Sequence, residues 1–95
     1  MILTGKAKEK FLEWISLNNL FTIEDREKYF NSLSELFQNA LIIEFFDSIE
    51  YNKNSSLLDY CFFDCYWNKG LREHKQATIQ AIKKANDIYN ERNII

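Results

Sequence analysis

Cys61 and Cys65 lie four residues apart, with Asp64 between them and His74 nine residues beyond. Thiolates and imidazoles are the ligands of structural zinc, which closes on four of them in tetrahedral reach. The Cys-x3-Cys spacing suits such a site, but a second ligand pair is missing and His74 is the sole histidine. The same side chains suggest acid–base or thiolate chemistry, with His74 as a general base paired with Asp64, or with either cysteine as nucleophile. Against this, free cysteines are usually buried as small apolar groups. His74, flanked by Glu73 and Lys75, reads as solvated. The spacing is not the Cys-x-x-Cys of dithiol redox sites, and two cysteines make no disulfide framework. Gly5 and Gly70 are far apart, so there is no glycine-rich phosphate loop. The expectation is a non-enzymatic chain with no catalytic residues, no metal and no cofactor.

Charge offers a second kind of chemistry. The net charge is −2, but residues 1–20 carry +1, residues 21–64 carry −6 and residues 65–95 carry +3. Glu24, Asp25, Glu27, Glu35, Glu44, Asp47, Glu50, Asp59 and Asp64 make up the acidic middle. A small acidic protein can dock on the basic groove that another protein uses for nucleic acid, because complementary charge speeds encounter and blocks the natural ligand. Exposed aromatics would then anchor the contact. The bland alternative is an ordinary solvated surface. In the other direction, Lys69, Arg72, Lys75, Lys83 and Lys84 could meet RNA phosphates while Tyr60, Tyr66 or Trp67 stack on bases. An isoelectric point near 5.4 argues against a dedicated nucleic-acid binder.

These groups must be positioned by a single domain spanning residues 1–95. Hydrophobic residues are 46% and charged residues 27%, so disorder is not expected. Fifteen aromatics (16%) and the lack of proline exclude linker-like and proline-rich readings. The longest apolar stretch, Ala40 to Ile43, is far short of the ~20 residues that cross a bilayer, and Met1-Ile2-Leu3-Thr4 is too short for a signal-peptide core. A cytosolic protein with reduced thiols and no membrane contact is expected.

Thr4 reads as the N-cap of a helix over 4–17, with Ala7, Phe11, Trp14, Ile15 and Leu17 on one face and Asn18-Asn19 as the stop. Thr22 with Glu24 and Asp25 marks a second start. Helical spacing persists to about residue 47, with a break near Asn31-Ser32 because Ser32 and Glu35 match a capping box. Asn52, Asn54, Ser55 and Ser56 form the densest loop signal. Leu57 to Trp67 has two readings. Its aromatic alternation favours a strand paired with Ile49 to Lys53, while Leu58, Cys61, Phe62 and Cys65 would make a helical stripe. Asn68-Lys69-Gly70 is a turn, and a last helix covers 71–92. The expected fold is α+β, with helices at both ends and a small two-stranded aromatic hairpin near residues 49–67. An all-α bundle is the alternative.

Leu3-Thr4-Gly5-Lys6-Ala7-Lys8, followed by Phe11 and Trp14, resembles the start of small uncharacterised proteins from phages and prophages of Bacteroidetes. Arg72-Glu73-His74-Lys75-Gln76-Ala77 and Ala81 to Asn90 look like their last helix, and Phe45-Phe46-Asp47-Ser48 is similar to a recurrent middle segment. The resemblance covers about half the chain and contains no catalytic signature. Family members often place a proline before the arginine of the last helix. Here that position is Leu71, and the preceding region is shorter and aromatic. In size and style the chain is similar to anti-CRISPR proteins, including inhibitors of type VI RNA-guided RNA nucleases. The resemblance thus implies a phage protein that binds a bacterial CRISPR effector nuclease, with or without its guide RNA, at its basic guide or target channel. It carries over no contact residue. The alternatives are an RNA-binding or regulatory phage protein using the basic last helix, and an accessory domain that self-associates through exposed aromatics.

Overall fold

The computed structural model describes residues 1–15, 23–70 and 73–92. Its elements are α1 (Gly5–Trp14), α2 (Ile23–Ser32), α3 (Glu35–Asp47), β1 (Glu50–Asn52), β2 (Ser55–Ser56), α4 (Leu57–Phe63), a π-helical turn (Asp64–Asn68) and α5 (His74–Arg92). The architecture is α+β as expected: helices wrapped on one core, with a two-stranded antiparallel sheet at one edge.

Thr4 is the N-cap of α1, but its side chain makes no local cap bond. The bonds come from α5 instead. Asn86 Oδ1 accepts from the Thr4 N–H at 2.9 Å, and Asn86 Nδ2 donates to Thr4 Oγ1 at 3.0 Å. Asn90 Oδ1 accepts from the Ala7 N–H at 2.8 Å, and its Nδ2 donates to the Thr4 carbonyl at 3.0 Å. Two backbone donors at the start of α1, one of them an orphan of its first turn, are thus met by side chains more than 80 residues away. Gly5 sits at φ +59, where a Cβ would also lie 3.0 Å from Asn90 Oδ1. The left-handed backbone and the close approach both require glycine there. Helix α1 closes at Trp14 with Ile15 as C-cap. The expected extension to Leu17, the Asn18-Asn19 stop and the Thr22 cap lie outside the described residues.

The break between α2 and α3 falls where expected, but its cap is Ser34 rather than Ser32. Ser34 Oγ accepts from the Phe37 N–H, while the Ser32 hydroxyl donates back to the Tyr29 carbonyl. Helix α3 buries Ile42, Phe45 and Phe46. Phe45 touches Phe11, Trp14, Phe46 and Tyr89 at ring separations of 5.2–6.2 Å, so one residue joins α1, α3 and α5. Phe30 of α2 completes the cluster edge-on to Phe11 at 5.1 Å.

The strand expected over Leu57–Trp67 is corrected to α4 and the π turn. The hairpin is shorter and precedes it: Glu50 pairs with Ser56 and Asn52 with Ser55, and a register irregularity falls at Tyr51. Asn52 Oδ1 accepts from the Asn54 N–H at 2.8 Å, closing the turn in the manner its asparagine density predicts. Ser56 then caps α4 by accepting from the Asp59 N–H. The four-residue spacing of Leu57, Cys61 and Cys65 decides the conformation. All three are buried in one stripe, while Phe63 and Trp67 of the apparent alternation point to solvent. Small residues let α4 and the π turn lie against α5, with Cys61 and Cys65 on one side and Ala77, Ala81 and Ala85 on the other, all buried. Among the described residues no helix is long and apolar enough to cross a membrane.

Asn86 is almost fully buried, at 5% exposure. Replacing it with alanine leaves the Thr4 N–H without a partner, and the expected cost is about 1–3 kcal/mol. Gly5→Ala should cost at least about 1 kcal/mol through its left-handed backbone. Urea titration checks both. A midpoint equal to that of the parent for Asn86→Ala would show that the clasp is not an anchor.

Candidate protein-binding surface

The acidic residues expected to form one docking face are distributed over four regions. Glu24 and Asp25 sit exposed in the first turn of α2, where they complement the helix dipole. Glu27 is paired with Lys8 at 2.7 Å. Glu35 opens α3, and Glu44 is exposed along it. Asp47, Glu50 and Asp59 come together around the hairpin, lining an open polar hollow of about 370 Å³ with Lys53, Asn52 and Ser55. The Ser56 hydroxyl donates to Asp47 Oδ1 at 2.9 Å and accepts from the Asp59 N–H at 3.1 Å, linking the end of α3 to the start of α4. Among the described residues, Glu24, Glu35, Glu44, Asp47, Glu50 and Asp59 form no ion pair.

Asp64 belongs to a different environment. Its carboxylate accepts from Lys84 at 2.5 Å and from Asn68 at 3.0 Å, with Lys69 at 3.8 Å. The bonds from Lys84 and then Asn68 hold its carboxyl below the ordinary 3.8. The same bond holds the Lys84 ammonium above its ordinary 10.5. Lys84 also lies 5.3 Å from the Tyr60 ring. Tyr60 stacks on Tyr51 at 3.9 Å and 11°, and Arg92 covers the far side of Tyr51 at 4.5 Å. A cation–ring–ring–cation stack thus runs along one side of the molecule, joining β1, α4 and α5. A hydrogen bond with Tyr51 raises the Tyr60 phenol above 10.0. Sequence reasoning missed this stack. Tyr51 and Tyr60 are nine residues apart in different elements, and no periodicity links them to Arg92.

Of the basic residues considered for RNA, Lys69 and Lys84 lie against Asp64, so two are engaged within the fold. Lys75 and Lys83 are exposed on α5, and Arg72 lies outside the described residues. Among the described residues the exposed large apolar side chains are Trp14, Tyr29, Leu36, Phe37, Phe63 and Trp67.

The cysteine–histidine constellation is not assembled. Cys61 and Cys65 are buried free thiols. Burial pushes the Cys61 thiol up from 9.0 to about 12, which suppresses the thiolate a nucleophile or metal ligand requires. His74 is exposed against the Phe62 ring at 5.6 Å, and the hydrogen bonds of Asp64 go to Lys84 and Asn68. Among the described residues no group of three histidine, cysteine or carboxylate side chains is placed to hold a metal ion.

The chain matches no protein-family model, no curated protein and no solved structure.

The pH dependence of stability follows from these environments. The Asp64 contribution is present above 3.8 and lost as pH falls through its lowered value. The Lys84 contribution is present below 10.5 and lost as pH rises through its raised value. Cys61 acts in the alkaline range. The unfolded chain releases this proton above 9.0 while the fold retains it to about 12, so stability declines across that window. The slope approaches about 1.4 kcal/mol per pH unit. Cys61→Ala should flatten the alkaline limb in urea titrations at pH 8 and pH 10. Identical slopes in parent and variant would show that the buried thiol titrates as it does in the unfolded chain.

Proposed function

We propose that this chain is a non-catalytic inhibitor that docks on a basic nucleic-acid channel of a bacterial RNA-guided nuclease. The observation that carries the reading is the Asp47–Glu50–Asp59 group, three carboxylates around one hollow with no ion pair among the described residues. Glu27 and Asp64, by contrast, are paired with Lys8 and Lys84. Unpaired negative charge around a hairpin is suited to steer and register a positively charged partner. The resemblance to phage proteins supplies the partner class, and the type VI RNA-targeting nucleases are the first to test. Exposed rings outside the acidic group, such as Phe63 and Trp67, would supply the desolvated anchors that charge alone does not provide.

Purified chain added to a type VI nuclease with its guide RNA should suppress target cleavage near equimolar ratio. The triple variant Asp47→Asn, Glu50→Gln, Asp59→Asn keeps the side-chain shapes and the Ser56 hydrogen bond. It should weaken inhibition by about tenfold or more, and added salt should weaken the parent in the same direction. Undiminished cleavage at large excess across guide-loaded and guide-free enzyme would overturn the reading. So would full potency of the triple variant.

A further inference from the structure

A second surface lies between α3 and α5. The first half of α3 and the start of α5 enclose a largely apolar groove of about 630 Å³. Ala40, Ile43 and Thr78 line it, and Leu36 stands on the α3 side at 78% exposure, the most exposed large apolar side chain among the described residues. The apolar surface continues past Ile43 into a smaller hollow of about 330 Å³ that is lined by Leu58 and Phe62 and also by Asp59 of the hairpin group. The two sides of the groove carry opposite charge. Glu35 borders it from α3 and Lys75 from α5. Both are exposed, and neither has an ion-pair partner among the described residues.

We propose that this groove is the contact face of a two-fold homodimer of the chain. A two-fold contact places the same patch on both sides, so the patch must complement itself. This one contains both halves of each interaction it needs. A projecting Leu36 adjoins a groove able to receive the partner's Leu36, and an acidic side faces a basic side. Rotation about an axis through the groove exchanges the two sides, so Glu35 of each copy meets Lys75 of the other. The patch is small, which places the dimer among weak interfaces that assemble at high micromolar concentration.

Sedimentation velocity from about 10 µM to about 1 mM spans the expected range for such an interface. The weight-average mass should rise from 11.4 kDa toward twice that value. Glu35→Lys or Lys75→Glu alone sets like charges together twice per dimer and should weaken association about tenfold. The double variant Glu35→Lys, Lys75→Glu restores opposite charges and should return the dimer to within about threefold of the parent. Leu36→Glu should abolish it while leaving the melting temperature of dilute protein unchanged, since Leu36 supports no core. A mass of 11.4 kDa at every concentration would overturn the proposal. So would a double variant that associates no better than the single ones, because only reciprocal pairing predicts the rescue.

Discussion

The junction of α1 with α5 is the constraint on which the rest of the fold depends. Helix α1 has a glycine at its first position and no local side-chain cap. A ten-residue helix is marginal in water by its own propensity. Asn86 and Asn90, one turn apart on α5, supply the hydrogen bonds that this helix start lacks. Fixing the entry of α1 fixes the direction of Phe11, and Phe11 seats Phe30 and Phe45. The aromatic core is therefore aligned by polar bonds at its edge. Apolar contact alone is not directional, and many rotations of α1 would bury a phenylalanine.

The second junction, α4 against α5, explains why the linear charge gradient does not become two separate faces. Asp64 belongs to the acidic middle and Lys84 to the basic end, yet they meet. The charge they share is held within the fold, flanked by the Tyr51–Tyr60 stack and Arg92. What remains for external use is the residue left after internal pairing. Among the described residues it includes Asp47, Glu50 and Asp59 at the hairpin, Glu24, Glu35 and Glu44 on α2 and α3, and Lys75 and Lys83 on α5.

Much of the helical frame was legible because its signals are local. The Ala7 and Phe11 face of α1, the break before α3 and the Asn/Ser turn all follow from spacing and turn chemistry within a few residues. The failures are of one kind. Leu57–Trp67 reads as a strand because aromatic enrichment imitates β preference, while its conformation is set by packing of Cys61 and Cys65 against a helix 20 residues later. Asn86 carries no local signal of burial, yet it is buried where Thr4 arrives from the other end of the chain. The Arg92–Tyr51–Tyr60–Lys84 stack was invisible for the same reason, since each contact crosses between elements. The candidate surface was legible as a list of residues, and the fold selected three of nine as a group.

Energetics distinguish among those three. Asp59 stabilises its own helix, lying in the first turn of α4 where its negative charge meets the positive end of the dipole. Asp47 lies in the last turn of α3, beside the helix's negative end, with Glu44 one turn before it and no basic residue in that turn. A carboxylate there is destabilising by a few tenths of a kcal/mol to about 1 kcal/mol. Its hydrogen bond from Ser56 is a bond that asparagine would keep without the charge. Glu50 adds a third negative charge on β1 with no partner among the described residues. Folding therefore accounts for Asp59 and argues against the charge of Asp47, while leaving that of Glu50 without a structural role.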